Sequence, residues 1–195
     1  PLVQAYSDQI GSVGAYTLEG VDTCSGSLIN NVNNTRTPLF LTAEHCGITE
    51  SNAPSMVVYF NFQNSTCRPP DSAESGQVGD GDLSQFMSGA ILRSLWEYSD
   101  FCLVELDDNI PPEYDVFFAG WDRTGAVGPA TGIHHPAVAE KRISFELDDT
   151  VIEDPYVKIT DWDFGVTAPG SSGSPLFDLN GRIIGDLTGG YSACG

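Results

Sequence analysis

Short apolar runs separated by turn residues constrain the fold of this chain more than any other feature. Runs of strand length occur at residues 13–18, 27–29, 39–42, 56–62, 90–95, 101–106, 116–121, 142–147, 156–162, 175–179 and 182–187. Gly, Pro, Asn and Asp lie between them, and no long stretch repeats apolar residues with a helical period. Many short strands joined by such turns are typical of an all-β barrel or sandwich.

The chain length and one Pro-rich segment predict how the strands are divided. A chain of 195 residues can bury one large core or two small ones. The segment 107–113 holds two prolines and a charge cluster that would break a strand, so it is the strongest candidate for a linker between two units. We therefore expect an N-terminal unit over residues 1–108 and a C-terminal unit over residues 109–195.

The charge balance excludes one class of partner. The chain has 27 acidic and 8 basic side chains, for a formal net charge of −19. Such a surface would repel the phosphate backbone, so no nucleic-acid partner is expected, whereas cationic polypeptides would be attracted. Solubility in an extracellular medium explains the same charge. No apolar run approaches the length of a membrane span and no signal-peptide pattern opens the chain, so we expect no membrane partner and a processed form beginning at Pro1.

Three segments supply histidine, aspartate and serine in that chain order. His45 lies in the run 41–46, Asp100 precedes the apolar run 101–106, and three serines lie in the Gly-rich run 170–175. A serine hydroxyl needs a neutral imidazole to take its proton, and the imidazolium that forms needs a fixed carboxylate. A Gly-rich turn also presents backbone N–H groups to a developing oxyanion, here those of Gly170 and Ser172. An α/β-hydrolase is excluded because the Gly-x-Ser-x-Gly elbow is absent at Ser172 and the histidine precedes the serine.

These segments resemble the trypsin/chymotrypsin superfamily of serine proteases, and most closely the bacterial lysyl endopeptidases. The narrower resemblance rests on further runs at residues 24–31, 64–68, 119–123 and 133–144. The resemblance implies two six-stranded antiparallel β-barrels of the chymotrypsin type with the active site in the cleft between them, and a last strand missing from this chain. It implies His45 as general base, Asp100 as its partner and Ser172 as nucleophile, because Ser172 is the third residue of the family loop pattern.

The loop departs from the family pattern at Ser171. Most trypsin relatives have an aspartate there, which pairs with the new N-terminal amine after zymogen cleavage. Serine cannot form that ion pair and residue 1 is a proline, so activation by insertion of the N-terminus is not expected.

Five cysteines suit an oxidising compartment and leave at least one without an internal partner. The resemblance implies a disulfide between Cys24 and Cys46, next to the catalytic histidine. It also implies that Cys67 and Cys194 pair with an N-terminal extension in relatives, so their state here stays open. Cys102 is expected to be a packed free thiol.

Substrate preference follows from the resemblance rather than from a recognisable pocket residue. Val166 occupies the position of the trypsin pocket aspartate, and the lysyl endopeptidases place theirs after the cysteine that matches Cys194, beyond the last residue, Gly195. Thr188, Gly189 and Gly190 are expected to bind substrate, which the two glycines would pair with as an added strand.

The expected protein is a secreted, extracellular bacterial serine endopeptidase that cleaves polypeptides after lysine, acts as a monomer and needs no cofactor or metal. The alternative is a protease-like peptide-binding module or a truncated inactive fragment. His134 and His135 are expected to be structural rather than a metal pair, because adjacent strand residues point to opposite faces. Asp80-Gly81-Asp82 is expected to be a solvated loop rather than a calcium site.

Overall fold

The computed structural model describes residues 3–69, 72–75, 77–125 and 127–191. Strands dominate this part of the chain: β1 (Val13–Leu18), β2 (Val21–Ile29), β3 (Leu39–Ala43), β4 (Val57–Phe60), β5 (Phe86–Ser88), β6 (Ala90–Trp96), β7 (Phe101–Leu106), β8 (Ala130–His134), β9 (Arg142–Glu146), β10 (Val151–Glu153), β11 (Tyr156–Lys158), β12 (Pro175–Phe177) and β13 (Ile183–Asp186). The helical elements are short: Val3–Tyr6, Ser7–Ile10, Glu44–Cys46, Ala53–Ser55, Glu97–Ser99, Pro112–Tyr114 and Pro136–Val138. No described helix is long and apolar enough to cross a membrane.

The described strands form three antiparallel sheets. The largest has the order β5-β4-β1-β2-β3-β7-β6, the second has the order β13-β12-β8-β9, and β10 pairs only with β11. The all-β prediction is therefore confirmed. The strands of the seven-stranded sheet all precede residue 108 and those of the others all follow it. The number of barrels and the division into residues 1–108 and 109–195 stay predictions.

The run 116–121, expected to be a strand, instead crosses from one sheet to the other. Ala119 forms an isolated parallel bridge with Ile29 at the end of β2, and Trp121 forms another with Ile183 in β13. The Asn30 and Asp122 amides donate to the carbonyls of Ala119 and Ile183 at 2.8 Å each. This run therefore connects the two sheets rather than forming a strand of either, with Val116 and Ala119 buried and Trp121 exposed.

Two apolar clusters form the core. One lies within the large sheet, where the rings of Tyr16 and Phe60 meet Phe40 edge-on. The second combines Val13 and Leu41 of the large sheet with residues such as Phe177 of the small one. Burying one such side chain contributes about 1.5–3 kcal/mol. The sheets are therefore fixed against each other through a shared core, and the predicted site residues lie on segments beside it.

Candidate active site

His45 and Asp100 form a close pair. The chain leaves β3 at Ala43 and makes the short turn Glu44–Cys46, which carries His45. Asp100 follows the turn Glu97–Ser99 with a left-handed φ of 57°. His45 Nδ1 lies 2.7 Å from Asp100 Oδ2, and the His45 backbone N–H donates to Oδ1 at 2.8 Å.

The buried carboxylate of Asp100 fixes the tautomer of His45. Asp100 is only 4% exposed, and both of its carboxylate oxygens accept from His45. A carboxylate facing Nδ1 places the neutral ring's proton on Nδ1 and leaves the lone pair on Nε2. The ring itself is partly exposed, so Nε2 is available as a base.

A disulfide fixes the histidine turn. Cys24 and Cys46 are bonded, which confirms the expected pairing. A ring nitrogen of His45 and the two sulfur atoms lie within 4.8 Å of one another. Because both thiols are consumed in the disulfide, this group is not a thiolate metal site.

The serine loop approaches the same turn from the other sheet. The Ser172 carbonyl accepts from the Ser25 amide at 2.9 Å, and Ser25 follows the disulfide-bonded Cys24. Gly173 has a φ of 76°, and a Cβ there would lie 2.6 Å from the Ser25 carbonyl and 2.7 Å from the Ala43 amide. Only glycine fits this close approach. The structure thus brings the backbone at Ser172 against the segments that hold His45.

Three polar groups of the loop remain free. Within the described ranges, the Ser172 hydroxyl and the amides of Gly170 and Ser172 make no hydrogen bond. Gly170 has a φ of 90° and packs against the Ala137 and Val138 amides. The loop therefore offers one hydroxyl and two N–H donors that a bound carbonyl can meet.

Ser171 and the neighbouring histidines are buried behind the loop. His134 Nδ1 lies 2.7 Å from Ser171 Oγ, and His134 Nε2 lies 3.2 Å from Ser144 Oγ. Burial lowers the pKa of His134 to about 4, and the positive charge of Arg142 adds to this effect. His135 stacks on Phe62 and places Nδ1 2.8 Å from the Ala139 carbonyl. Neither histidine faces a metal-ligand set among the described residues.

The expected substrate-binding residues lie directly after β13. Thr188 is partly buried and Gly189 and Gly190 are exposed. In the described part of the chain, none of the three makes a backbone hydrogen bond, so their N–H and C=O groups form an open edge. Val166, at the expected pocket position, is partly buried and its carbonyl accepts from Ser144 at 3.3 Å. Cys194 lies outside the described residues.

No signal in the sequence indicated the carboxyl group of Asp186, which lies near the site. Asp186 Oδ2 is buried without a hydrogen-bond partner among the described residues. Burial, and then the nearby charge of Asp100, raises the pKa of Asp186 well above its usual range. Cys102 is a free, buried thiol, as expected. Burial raises its pKa to about 12, and the nearby charge of Asp186 adds to the effect. Alternating apolar runs reveal strands but carry no signal for such isolated polar groups.

Solved structures that resemble this fold include several proteases. A Glu endopeptidase in complex with MPD superposes with a TM-score of 0.60 at 19% identity, covering 93% of this chain and 80% of that one. The HtrA-type protease AlgW with a decapeptide gives 0.63 at 15% identity, covering 98% and 60%. A serine endoprotease from Yersinia pestis gives 0.59 at 15% identity, covering 95% and 56%. These likenesses confirm the expected chymotrypsin-type fold class.

Sequence comparison adds the family. A lysyl endopeptidase from Pseudomonas aeruginosa is 30% identical, with 88% of this chain matched to 38% of that protein. The chain therefore spans well under half the length of this relative. The family model for the lysyl endopeptidase C-terminal domain matches residues 3–195. With almost the whole chain matched, this protein belongs to the lysyl endopeptidase C-terminal domain family.

Proposed function

We propose that this chain is a serine endopeptidase that hydrolyses peptide bonds through an acyl-enzyme, with Ser172 as nucleophile, His45 as general base and Asp100 as its orienting partner. The observation that carries the proposal is the buried Asp100 carboxylate, which accepts from both the ring and the backbone of His45 at 2.7 and 2.8 Å. Family membership supports the same chemistry.

Each step uses a group that is free or fixed in the site. His45 Nε2 takes the Ser172 proton as Oγ attacks the peptide carbonyl, and Asp100 stabilises the imidazolium. The Gly170 and Ser172 amides, which have no partner in the described ranges, donate to the oxyanion. His45 then protonates the leaving amine. Water, deprotonated by His45, attacks the acyl-enzyme. His45 then returns that proton to Ser172 Oγ as the ester bond breaks and the carboxylic product leaves.

The proposed substrate is a polypeptide cut after lysine. The family match and the net charge of −19 support a cationic substrate. Val166 cannot pair with an ammonium group, and burying that charge unpaired would cost several kcal/mol. A carboxylate from another part of the protein must therefore complete the pocket. Thr188, Gly189 and Gly190 would hold the extended peptide along their open edge.

We place the proposed cleft between an N-terminal barrel of residues 1–108 and a C-terminal barrel of residues 109–195. The Cys24–Cys46 disulfide supports secretion from a bacterial cell. The enzyme is proposed to act as a monomer without a cofactor.

Labelling with a fluorophosphonate tests the nucleophile. Peptide mapping should find the label on Ser172 alone, and Ser172→Ala should lose it and lower turnover by roughly 10⁴-fold or more. Ser174→Ala, which removes a hydroxyl two residues away, is the matched control and should label normally. A label on Ser171 or Ser174, or none in folded protein, would reject the assignment. Peptide affinity without hydrolysis would instead favour a binding module.

Cleavage of a mixed peptide library tests specificity separately. Cuts confined to the carboxyl side of lysine would support the proposed preference. Cuts after large apolar or acidic residues would overturn it and leave the broader serine endopeptidase proposal standing.

A further inference from the structure

A buried chain of hydrogen bonds links the nucleophile loop to His134. The imidazole is fully buried, as is Ser171, and Ser144 is 1% exposed. His134 Nδ1 lies 2.7 Å from Ser171 Oγ, and His134 Nε2 lies 3.2 Å from Ser144 Oγ. Ser171 Oγ also accepts from the Ala168 amide at 3.2 Å, and the Ser144 hydroxyl donates to the Val166 carbonyl at 3.3 Å.

These partners determine the direction of every bond. Because Ser144 donates to Val166, its oxygen accepts from His134 Nε2–H. Nδ1 then carries no proton and accepts from the Ser171 hydroxyl, whose oxygen accepts from Ala168. In the reverse tautomer Nδ1–H would point at Ser171, and the Ser171 hydrogen would have no acceptor in the described part of the chain. Only the Nε2–H form satisfies all the polar groups.

Ser171, which contacts His134, is the chain neighbour of both residues that supply the proposed oxyanion donors. Ser171 lies between Gly170 and Ser172, whose amides are the proposed donors. Ser25 braces the same loop from the other side, because its hydroxyl donates to the Gly170 carbonyl at 2.8 Å and accepts from the His135 amide at 3.0 Å. The loop is thereby fixed by neutral groups of β2 and of the segment that ends β8.

We propose that His134 is a positioning residue that holds Ser171, and through it the Gly170 and Ser172 amides, in the geometry that receives the oxyanion. This role rests on the proposed serine endopeptidase function. It assigns to a neutral histidine and a serine the anchoring that an ion pair provides in most trypsin relatives.

Two conservative variants of His134 test its hydrogen bonds to Ser171 and to Ser144 separately. Asparagine at position 134 places its amide near Nδ1 and retains an acceptor for Ser171, whereas glutamine places its amide near Nε2 and retains a donor for Ser144. We expect His134→Gln to lower kcat by about 10²-fold with little change in KM, as for loss of an oxyanion donor. His134→Asn should lower kcat by less than about 10-fold. Because each variant loses one buried hydrogen bond, we expect the two to have similar melting temperatures.

The serine partners give a second matched pair. Ser171→Ala should reproduce the loss of kcat in His134→Gln, and adding the two changes should have little further effect because they break the same bond. Ser144→Ala should behave like His134→Asn. Equal losses of kcat in all four variants, following their losses of melting temperature, would overturn the positioning role.

Hydrogen exchange keeps the test independent of activity. The Ser171 and Gly173 amides donate to the Ala168 and Leu187 carbonyls at 2.9 and 2.8 Å, so their exchange reports the state of the loop. It should be faster in His134→Gln and Ser171→Ala than in His134→Asn and Ser144→Ala. If the wild-type protein neither hydrolyses peptides nor labels at Ser172, the proposed function fails and the exchange pattern alone decides the anchoring. Uniform exchange across the four variants would refute it.

Discussion

Replacing Asp100 with asparagine changes one atom type at the centre of the proposed site. The native carboxylate accepts two hydrogen bonds from His45, one from the backbone N–H at 2.8 Å and one from Nδ1 at 2.7 Å. Asparagine has a single acceptor oxygen. If that oxygen keeps the backbone N–H, the amide NH₂ faces Nδ1, which must then accept. The ring proton moves to Nε2, and the base is blocked.

The opposite rotamer is unfavourable because of burial. It would point the NH₂ group at the His45 N–H and leave a buried donor unpaired, at a cost of about 1–3 kcal/mol. The imidazolium also loses its charged hydrogen-bond partner, which contributes about 1.5–3 kcal/mol. Together these give about 2.5–6 kcal/mol, or about 10²- to 10⁴-fold in kcat/KM at about 1.36 kcal/mol per decade. The upper end matches the effect of this substitution in chymotrypsin-type triads.

The assay is kcat/KM for a fluorogenic peptide from pH 5 to pH 9. Wild-type activity should rise between pH 5 and pH 8, the range in which imidazoles lose their proton. Asp108→Asn, at an exposed carboxylate, is the matched control and should retain the wild-type profile. A loss smaller than 10-fold in Asp100→Asn, with the melting temperature unchanged, would refute the tautomer argument. A flat wild-type profile would refute the role of His45.

Two buried ionisable groups give predictions for stability. Burial lowers the pKa of Lys141 from 10.5 to about 7; the folded state therefore binds fewer protons than the unfolded chain across that window, and stability should rise with pH there. Lys141→Met should remove up to about 5 kcal/mol of this rise, at about 1.36 kcal/mol per pKa unit, and the Ile10 carbonyl loses its 2.7 Å donor. Urea unfolding at pH 7 and pH 10 measures the change in the free energy of unfolding. Parallel pH profiles for the variant and the wild type would contradict the prediction. The pKa of Asp186 is raised instead, so the folded state binds the extra proton and stability should fall as pH rises above the usual carboxyl range. Asp186→Asn, which supplies a permanently neutral side chain, should gain stability over wild type between pH 4 and pH 8. If the difference in free energy of unfolding between variant and wild type does not change with pH, this carboxyl is ionised in the folded protein.

Strands with an alternating or continuous apolar pattern could be predicted from the sequence, and a strand that shows neither pattern could not. The run 101–106 became β7, whose residues alternate between buried and partly buried. In contrast, β8 could not be predicted. All of its residues are buried, but it contains Gly132 and His134 and so shows neither alternation nor a continuous apolar run. The run 116–121 has the composition of a strand, but its partners lie in two different sheets.

The candidate site shows a similar division. The chain order of His45, Asp100 and Ser172 and their flanking residues pointed to one locus, and the contact between His45 and Asp100 is present. The resemblance also supplied the Cys24–Cys46 pairing. The contact between His134 and Ser171 joins residues 37 positions apart. It could not be inferred from the His134-His135 pair, whose adjacent positions on a strand suggested only two structural side chains.

The identity of residue 171 fits the electrostatics of this chain. An aspartate there would be fully buried, as Ser171 is, in a protein with a net charge of −19 and beside a histidine whose pKa burial has already lowered to about 4. A buried carboxylate needs a partner that is charged, and protonating His134 would itself cost free energy in that environment. Serine removes both requirements, because its hydroxyl donates to the neutral ring and accepts from the Ala168 amide. The nucleophile loop can then reach its geometry as the two sheets pack together, without a buried ion pair.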